Sequence, residues 1–407
     1  MKPIWLMLAA AFVAQAQTTH NPARVAARQF PIMAWGGAPS DPAQLKQMKE
    51  AGLNVAGFCK VEDAGAVRDA GLSCFVNDKR INGYDWAKLP PEAEIRRNAD
   101  EVVRLVGNND AVLGFNLRDE PHASMMPAMG RVAAILKELA PGKWPYVNLF
   151  PYFVPRERIG ADYETYAKML VHEIGQPFLS YDNYSLAGGE MRDGFFNNLD
   201  IVRKISLDVK TPFWNCVLAN AHFNYMEPSD ATLHLQAYAT LAYGGRGIQY
   251  FTYFAPRIGN YRLAAIDQFG NKTATWDALR RINLEIHMLA PIMLNLHSTG
   301  VYHTPDVPEF GTPLSQSRLV SGVTTRQHLL KQQTQGRLLV GEFEDGQGRP
   351  YFMIVNKDLS NSFQFTVHLR EQGRKLIRIS NYSGQEAPFG GENDWIAPGA
   401  GILFRVQ

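Results

Sequence analysis

Two adjacent acidic residues, Asp119 and Glu120, follow the apolar run AVLGFNL at residues 111–117. A buried strand that ends in two negative charges is costly unless the charges are paired or used. Arg118 and His122 flank the pair and could serve as its partners or as ligand contacts. Like-charge repulsion and burial would raise a carboxyl pKa here, which predicts acid–base chemistry. The alternative is an Asp-Glu-Pro turn that only starts a helix.

Further carboxylates lie in two later segments of the chain. Asp182 lies in SYDNYS, between Tyr181 and Tyr184, where it could act as a second acid or base. A turn-forming aspartate is an equally supported interpretation of that segment. Glu227 lies in NYMEPSD, where a bent loop could bring it back as the second carboxylate, but a solvent-exposed residue ahead of a helix that starts near Pro228 is the favoured interpretation.

The elements that must position these residues follow a regular alternation between about residue 28 and residue 297. Eight short apolar runs begin at residues 30, 52, 71, 111, 144, 177, 212 and 247, and segments with helical periodicity separate them. Repeated strand–helix units imply parallel strands joined by right-handed crossovers. Eight units predict a (β/α)8 TIM barrel over residues 24–297. An open doubly wound sheet has little support, because no glycine-rich phosphate turn follows the first strand.

The pattern changes after this region. Strand-length segments separated by turn residues run from SRLVSGVTT to the closing GILFRVQ, without helical periodicity. We therefore predict a small antiparallel β-sandwich over residues 298–407. In the barrel, residues that follow the strands belong at its mouth, where catalytic groups of this fold lie. Asp119 and Glu120 would follow the fourth strand.

The segment GFNLRDEP resembles the fourth-strand motif of clan A glycoside hydrolases, in which Asn-Glu-Pro or Asp-Glu-Pro carries the acid/base glutamate. LQAYATLAYGGRGIQYFTYFAP at 235–256 resembles the seventh helix and eighth strand of β-galactosidase-like barrels, and YFMIVNKD and IAPGAGILFRV resemble their C-terminal β-sandwich. The resemblance implies a glycosidase in which Glu120 is the acid/base. Asp119, where many clan A enzymes carry Asn, would contact the substituent at sugar carbon 2.

The sequence departs from the clan A pattern at the seventh strand. Retaining members keep a nucleophilic Glu there, whereas PFWNCVLANAHF at residues 212–223 contains no acid. Asp182 resembles an Asp-x-Tyr signature after the sixth strand and is the preferred second carboxylate. A gap of roughly 6.5–9.5 Å to Glu120 would suit an inverting base, and one near ~5 Å a retaining nucleophile.

Two other functions remain open alongside a hydrolase of poly- or oligosaccharides. A substrate-assisted N-acetylhexosaminidase would use Asp119 to orient a 2-acetamido group and Glu120 as the acid. A non-catalytic carbohydrate-binding barrel would use neither for turnover. Sugar rings stack on aromatic side chains and bind polar groups, and the predicted substrate contacts near strand ends are Trp35, Asn116, Arg118, Asn148, Tyr184, Trp214, His222 and Tyr253.

The first residues predict the compartment. MKPIWLMLAAAFVAQAQ has a basic start, a short apolar run and an Ala-Gln-Ala site, which predicts a signal peptide over residues 1–16. We expect a secreted or periplasmic protein without membrane insertion after cleavage. A formal net charge of +2 argues against nucleic acid as a partner.

The cysteines do not form a disulfide framework, since the chain contains only Cys59, Cys74 and Cys216. Cys59 and Cys74 fall on consecutive predicted strands, so a bridge between them is possible, but we favour buried thiols. No cysteine and histidine cluster has metal-ligand spacing. The sequence therefore implies neither a metal nor an organic cofactor.

Overall fold

The computed structural model describes residues 29–326, 336–389 and 394–407. The predicted signal peptide, residues 1–16, and the first residues of the predicted barrel lie outside the described part of the chain.

Eight parallel strands form the first sheet in the order β5-β4-β3-β2-β1-β8-β7-β6. Backbone contacts between Leu149, after β5, and Tyr181, on β6, join the two ends of this order. The sheet is therefore closed, which confirms the predicted (β/α)8 barrel. The strands are β1 (Ile32–Ala34), β2 (Val55–Cys59), β3 (Ser73–Val76), β4 (Val112–Asp119), β5 (Trp144–Asn148), β6 (Leu179–Asp182), β7 (Phe213–Leu218) and β8 (Gly247–Phe251).

Helices follow or precede the strands and cover the barrel. Their starts obey local rules: Asp41 caps the first helix with Pro42 in its first turn, and Ser229 and Thr232 form a capping box at the ninth. The helices are α1 (Pro42–Glu50), α2 (Ala64–Asp69), α3 (Lys79–Asn82), α4 (Glu92–Val106), α5 (Met126–Leu139), α6 (Arg156–Ile159), α7 (Tyr163–His172), α8 (Asp193–Asp208), α9 (Asp230–Ala242) and α10 (Ala274–Met293).

Aromatic and aliphatic side chains fill the barrel interior. Phe75, Tyr146 and Phe178 pack there with Trp214, whose ring stacks on Phe178 with centroids 3.8 Å apart. Such a filled interior leaves no channel through the barrel, so ligands can reach only the ends of the strands.

The strands that follow the barrel, from Leu296 onward, form two antiparallel sheets. The larger has the order β9-β11-β12-β17-β14-β15 and the smaller the order β10-β13-β16. Phe352, Phe365 and Phe404 pack in the core of this unit, so it is the predicted β-sandwich. The strands are β9 (Leu296–Thr304), β10 (Val320–Arg326), β11 (Leu338–Asp345), β12 (Pro350–Asn356), β13 (Phe363–Leu369), β14 (Leu376–Ile379), β15 (Glu386–Phe389), β16 (Asp394–Ile396) and β17 (Gly401–Val406).

The larger sheet packs directly against the barrel helix α9. A Cβ atom on Gly341 of β11 would meet the carbonyl oxygen of Ala242, and one on Gly401 of β17 would meet the ring of Tyr238. Because glycine has no side chain, the sheet can pack directly against the Ala242 carbonyl and the Tyr238 ring of the helix.

Cys59, at the end of β2, and Cys74, on β3, form a disulfide. Our preference for two free thiols was therefore wrong. The strands pair with a register shift between Val55 and Phe58, and this local irregularity is not visible in the sequence. Cys216 is the free cysteine and is buried.

We expect the double variant Cys59→Ala/Cys74→Ala to lose about 3 kcal/mol of unfolding free energy, because a bridge across this separation of 15 residues restricts the unfolded chain. Urea unfolding with and without reductant measures the effect. Reductant should weaken the wild type and leave the variant unchanged. Equal stability of the two proteins under oxidising conditions would contradict the prediction.

Candidate active site

The chain turns sharply where β4 ends. Glu120 has a backbone φ of 43°, in the left-handed region that costs a non-glycine residue on the order of 1–3 kcal/mol. Its N–H donates to the carbonyl of Asn148 at 2.8 Å, and the hydroxyl of Tyr166 on α7 donates to the carbonyl of Pro121 at 2.8 Å. Contacts from β5 and α7 thus hold Glu120 in a conformation that it would not adopt alone.

One amide side chain joins two acids of the site. Asn148, at the end of β5, donates from Nδ2 to Asp182 at 2.9 Å and to Asp119 at 3.3 Å. The hydroxyl of Ser180 donates to the Asn148 carbonyl oxygen at 2.8 Å, which fixes the orientation of the amide. The carboxyl ends of β4, β5 and β6 are therefore linked through their side chains.

The network continues below the carboxylates into the barrel. Gln249 of β8 donates to the hydroxyl of Ser180 at 2.8 Å and accepts a hydrogen bond from Tyr146. Each of these buried polar groups has a partner, so the network can hold Asn148 rigidly.

Ser180, Gln249 and Tyr166 were not predicted from the sequence as residues of the site. Polar residues inside the apolar runs PFLSYDNYS and GIQYFTYF were the available signal for the first two, because buried polar groups need partners.

The surroundings of Glu120, Asp119 and Asp182 raise the pKa of each of these three acids. Burial raises the pKa of Glu120 to about 7, and the neighbouring charge of Asp119 adds to the effect while Arg158 opposes it. Although the Asp119 side chain is exposed at the mouth, surrounding protein raises its pKa to about 6, against the hydrogen bond from Asn148. Burial and then the charges of Glu120 and Asp119 raise the pKa of Asp182 well above its usual range.

Aromatic rings line the mouth on the side of β1, β6 and β8. Tyr184 stacks on Phe251 at 5.3 Å between centroids, and Trp35 and His222 each lie 5.5 Å from the Phe251 ring. The Tyr184 hydroxyl lies 3.6 Å from the Cys216 sulfur on β7. Trp35, Tyr184 and His222, proposed from the sequence as sugar contacts, are thus brought together, and Phe251 joins them unpredicted.

The polar residues predicted on β4 lie on the opposite side of the mouth. Asn116 donates from Nδ2 to Asn77, after β3, at 2.9 Å. Arg118 is exposed, and its charge lowers the pKa of Asp119.

His222 lies after β7, on the aromatic side of the mouth. Its Nδ1 forms a hydrogen bond with the side-chain oxygen of Asn220 at 2.9 Å.

Two predicted substrate contacts lie away from the site. Trp214 is 1% exposed near the start of β7 and lines, with Pro177 and Pro212, a cavity of about 200 Å³ at the amino ends of the strands. Tyr253 is buried and accepts a hydrogen bond from Trp276 of α10 at 2.9 Å, so it packs under a helix. Both predictions were wrong, because the sequence does not show at which residue a strand begins or when its alternation ends.

Glu227 does not replace the acid missing from β7. It is exposed and forms an ion pair with the exposed Arg262 at 3.4 Å. The β7 residue near the carboxylates is Cys216, whose pKa is raised by burial and then by the charge of Asp182. The solvent-exposed interpretation of Glu227 therefore agrees with the structure.

A cavity of about 1040 Å³ lies elsewhere, between α9, α10 and the β-sandwich. Its lining includes Leu284, Met288 and Trp395. Asp119, Glu120 and Asp182 are not part of the lining, so the cavity is separate from the candidate site.

Within the described residues, no three His, Cys, Asp or Glu side chains group in a way that could hold a metal ion. No helix in that part of the chain has both the length and the apolar character needed to cross a membrane.

The fold places the protein among (β/α)8 barrels that are followed by a C-terminal β-sandwich. No protein-family model matches the chain, and no curated protein matches it in sequence. In structure it is similar to a β-galactosidase from Bacillus circulans sp. alkalophilus, with a TM-score of 0.63 and 8% identity over 93% of this chain and 99% of the other.

Two further solved structures share the architecture. A family 5 glycoside hydrolase from Bacteroides vulgatus matches with a TM-score of 0.57 and 11% identity, over 93% of this chain and 88% of that one. A β-galactosidase from the psychrophilic Marinomonas ef1 matches with a TM-score of 0.52 and 11% identity over 66% of this chain, which spans 62% of that enzyme's length. At these identities the comparisons establish the fold, and they agree with the resemblance found in the sequence.

Proposed function

We propose that the protein is a glycoside hydrolase in which Glu120 is the general acid. The observation that carries the proposal is the group of three acids at the carboxyl ends of the barrel strands, in which Asn148 contacts Asp119, Asp182 and the backbone N–H of Glu120. Burial in this group raises the pKa of Glu120 to about 7. A general acid works best when its pKa lies near the working pH. Cleavage of a glycosidic bond needs this proton at the leaving oxygen and a second group near the anomeric carbon.

Asp182 is the second group in this proposal. Asn148 donates to its carboxyl oxygen and favours the charged form, while burial and the neighbouring acids oppose that form. In this proposal Glu120 holds its proton, which lowers the repulsion on Asp182, and the hydrogen bond from Asn148 favours the Asp182 carboxylate. As a carboxylate, Asp182 would activate water or attack the anomeric carbon.

A substrate-assisted N-acetylhexosaminidase is the second candidate. It is favoured by the absence of an acid on β7 and by the exposure of Asp119 at the mouth, beside Glu120. There Asp119 could accept a hydrogen bond from the N–H of a 2-acetamido group, whose oxygen would attack the anomeric carbon while Glu120 protonates the leaving group.

Export of the protein is part of the proposal. The signal-like residues 1–16 and the disulfide between Cys59 and Cys74 both support an oxidising compartment. N-terminal sequencing of the secreted or periplasmic protein should give a chain that starts near Gln17.

A substrate screen tests the function directly. Purified protein is incubated with aryl glycosides and with plant and microbial polysaccharides, and the product anomer is followed by NMR. Turnover of a glycoside with a defined stereochemical course supports the proposal. If none of these substrates is hydrolysed by the wild type, the proposed activity is rejected.

We expect kcat/KM to fall as the pH rises through about 7, because Glu120 donates a proton only below its raised pKa. Asp119→Asn removes a neighbouring negative charge, so the pKa of Glu120 should fall and the basic limb of the pH profile should move to lower pH. Profiles of kcat/KM for wild type and variant measure this shift. Glu227→Gln is the control and should leave the limb in place; a limb that stays fixed in Asp119→Asn would contradict the assignment.

A further inference from the structure

Phe223, in the loop after β7, combines two unfavourable features. Its side chain is 72% exposed, and its backbone φ is 47°, in the left-handed region. A ring that stays exposed contributes little to the free energy of folding. The left-handed backbone conformation is rare for a bulky residue and costs free energy. The Phe223 ring therefore does not contribute to a hydrophobic core and is accessible to a ligand.

The backbone of Phe223 is fixed from both sides by one side chain. The Phe223 N–H donates to Oδ1 of Asn260 at 2.9 Å, and Nδ2 of Asn260 donates back to the Phe223 carbonyl at 3.3 Å. Next to this clamp, the backbones of Ala221 and Arg262 exchange hydrogen bonds of 2.9 and 2.8 Å. The loops after β7 and β8 thus hold each other and set the position of the ring before any ligand binds.

The ring is continuous with the candidate active site. Phe223 lies 5.0 Å from the ring of His222, and Tyr261 stacks on the same histidine at 5.0 Å. His222 in turn contacts Phe251 and Tyr184, and Tyr184 lies two residues after Asp182 at the end of β6. These side chains form one aromatic surface that runs from the mouth of the barrel outward to Phe223.

We infer that Phe223 is the stacking platform of an outer subsite, which binds a sugar unit of the substrate beyond the units at the cleaved bond. The inference rests on the proposed function and narrows it to oligo- or polysaccharides. The C–H face of a pyranose packs on an aromatic ring, and a ring that is already positioned loses little entropy on binding.

The test compares long and short substrates. Phe223→Ala, Phe223→Tyr and wild type are assayed on β-1,4-linked gluco-, galacto- and manno-oligosaccharides of two to six units and on the matching para-nitrophenyl monoglycosides. We expect Phe223→Ala to lower the ratio of kcat/KM for the long substrates to that for the short ones by about 5- to 10-fold. Phe223→Tyr keeps a ring and should retain most of the ratio.

Phe269→Ala is the matched control, because Phe269 is 89% exposed on the loop after β8 and lies outside this aromatic surface; its ratio should equal that of the wild type. Thermal unfolding of each variant checks the fold. If the wild type cleaves these probes and Phe223→Ala keeps the wild-type ratio, the subsite is overturned and the proposed function stands. If the wild type cleaves none of these oligosaccharides but hydrolyses another glycoside of the substrate screen, the subsite is overturned and the proposed function stands. If it hydrolyses no glycoside of that screen, the inference and the proposed function fall together.

Discussion

Glu120→Gln should lower kcat/KM by about 1,000-fold for glycosides with poor leaving groups, and far less for aryl glycosides whose leaving groups depart without a proton. Glutamine has nearly the same shape as glutamate, so the hydrogen bond from the Glu120 N–H to Asn148 should survive and only the proton is lost. Steady-state kinetics on a series of aryl glycosides of rising leaving-group pKa measures the effect as a steeper dependence in the variant.

Glu227→Gln is the control for this substitution. It makes the same chemical change at an exposed, ion-paired glutamate, and its kinetics should match the wild type. A non-catalytic barrel would give another pattern: the wild type would show no turnover, and sugar binding would persist in Glu120→Gln. Equal rates in wild type and Glu120→Gln on every leaving group would reject Glu120 as the acid.

Asp182→Asn should lower kcat/KM by at least about 100-fold on all substrates if Asp182 is the base or nucleophile. The asparagine can still accept the hydrogen bond from Asn148, so the loss would report the missing charge rather than a rearranged site. The measurement is kcat/KM on para-nitrophenyl glucosides, galactosides and N-acetylglucosaminides.

Asp119→Asn separates the two mechanisms. In the two-carboxylate mechanism it should have the smaller effect of the two variants. In the substrate-assisted mechanism only N-acetylhexosaminides are cleaved, Asp119→Asn loses at least as much as Asp182→Asn, and a thiazoline-type mimic inhibits the wild type. Near-normal activity of Asp182→Asn on glucosides would remove Asp182 from the mechanism.

The barrel could be predicted because its strands are buried on both faces and its helices are amphipathic, so both leave periodic patterns in the chain. The same reasoning places Asp119, Asn148 and Asp182 at one end, since the carboxyl ends of parallel strands meet there. In the structure, the Asn148 side chain donates hydrogen bonds to both carboxylates.

Other features depend on geometry that the sequence does not encode locally. Trp214 is the second residue of β7, and a shift of the strand start by a few residues would have moved it toward the mouth. The disulfide joins β2 and β3, whose pairing register shifts between Val55 and Phe58. The contact between Tyr166 and Pro121 joins residues 45 positions apart, and only the closed fold brings them together.

The close approach of the β-sandwich to α9 bears on how the barrel can be handled experimentally. Leu235, Tyr238 and Ala242 of this helix are buried; Gly341 of β11 lies against the helix backbone and Gly401 of β17 against the Tyr238 ring. Cutting the chain after α10 would leave Tyr238 facing water and create an apolar patch prone to aggregation. The barrel is therefore not an excisable module, and replacing the C-terminal β-sandwich with another domain would require redesign of the α9 surface.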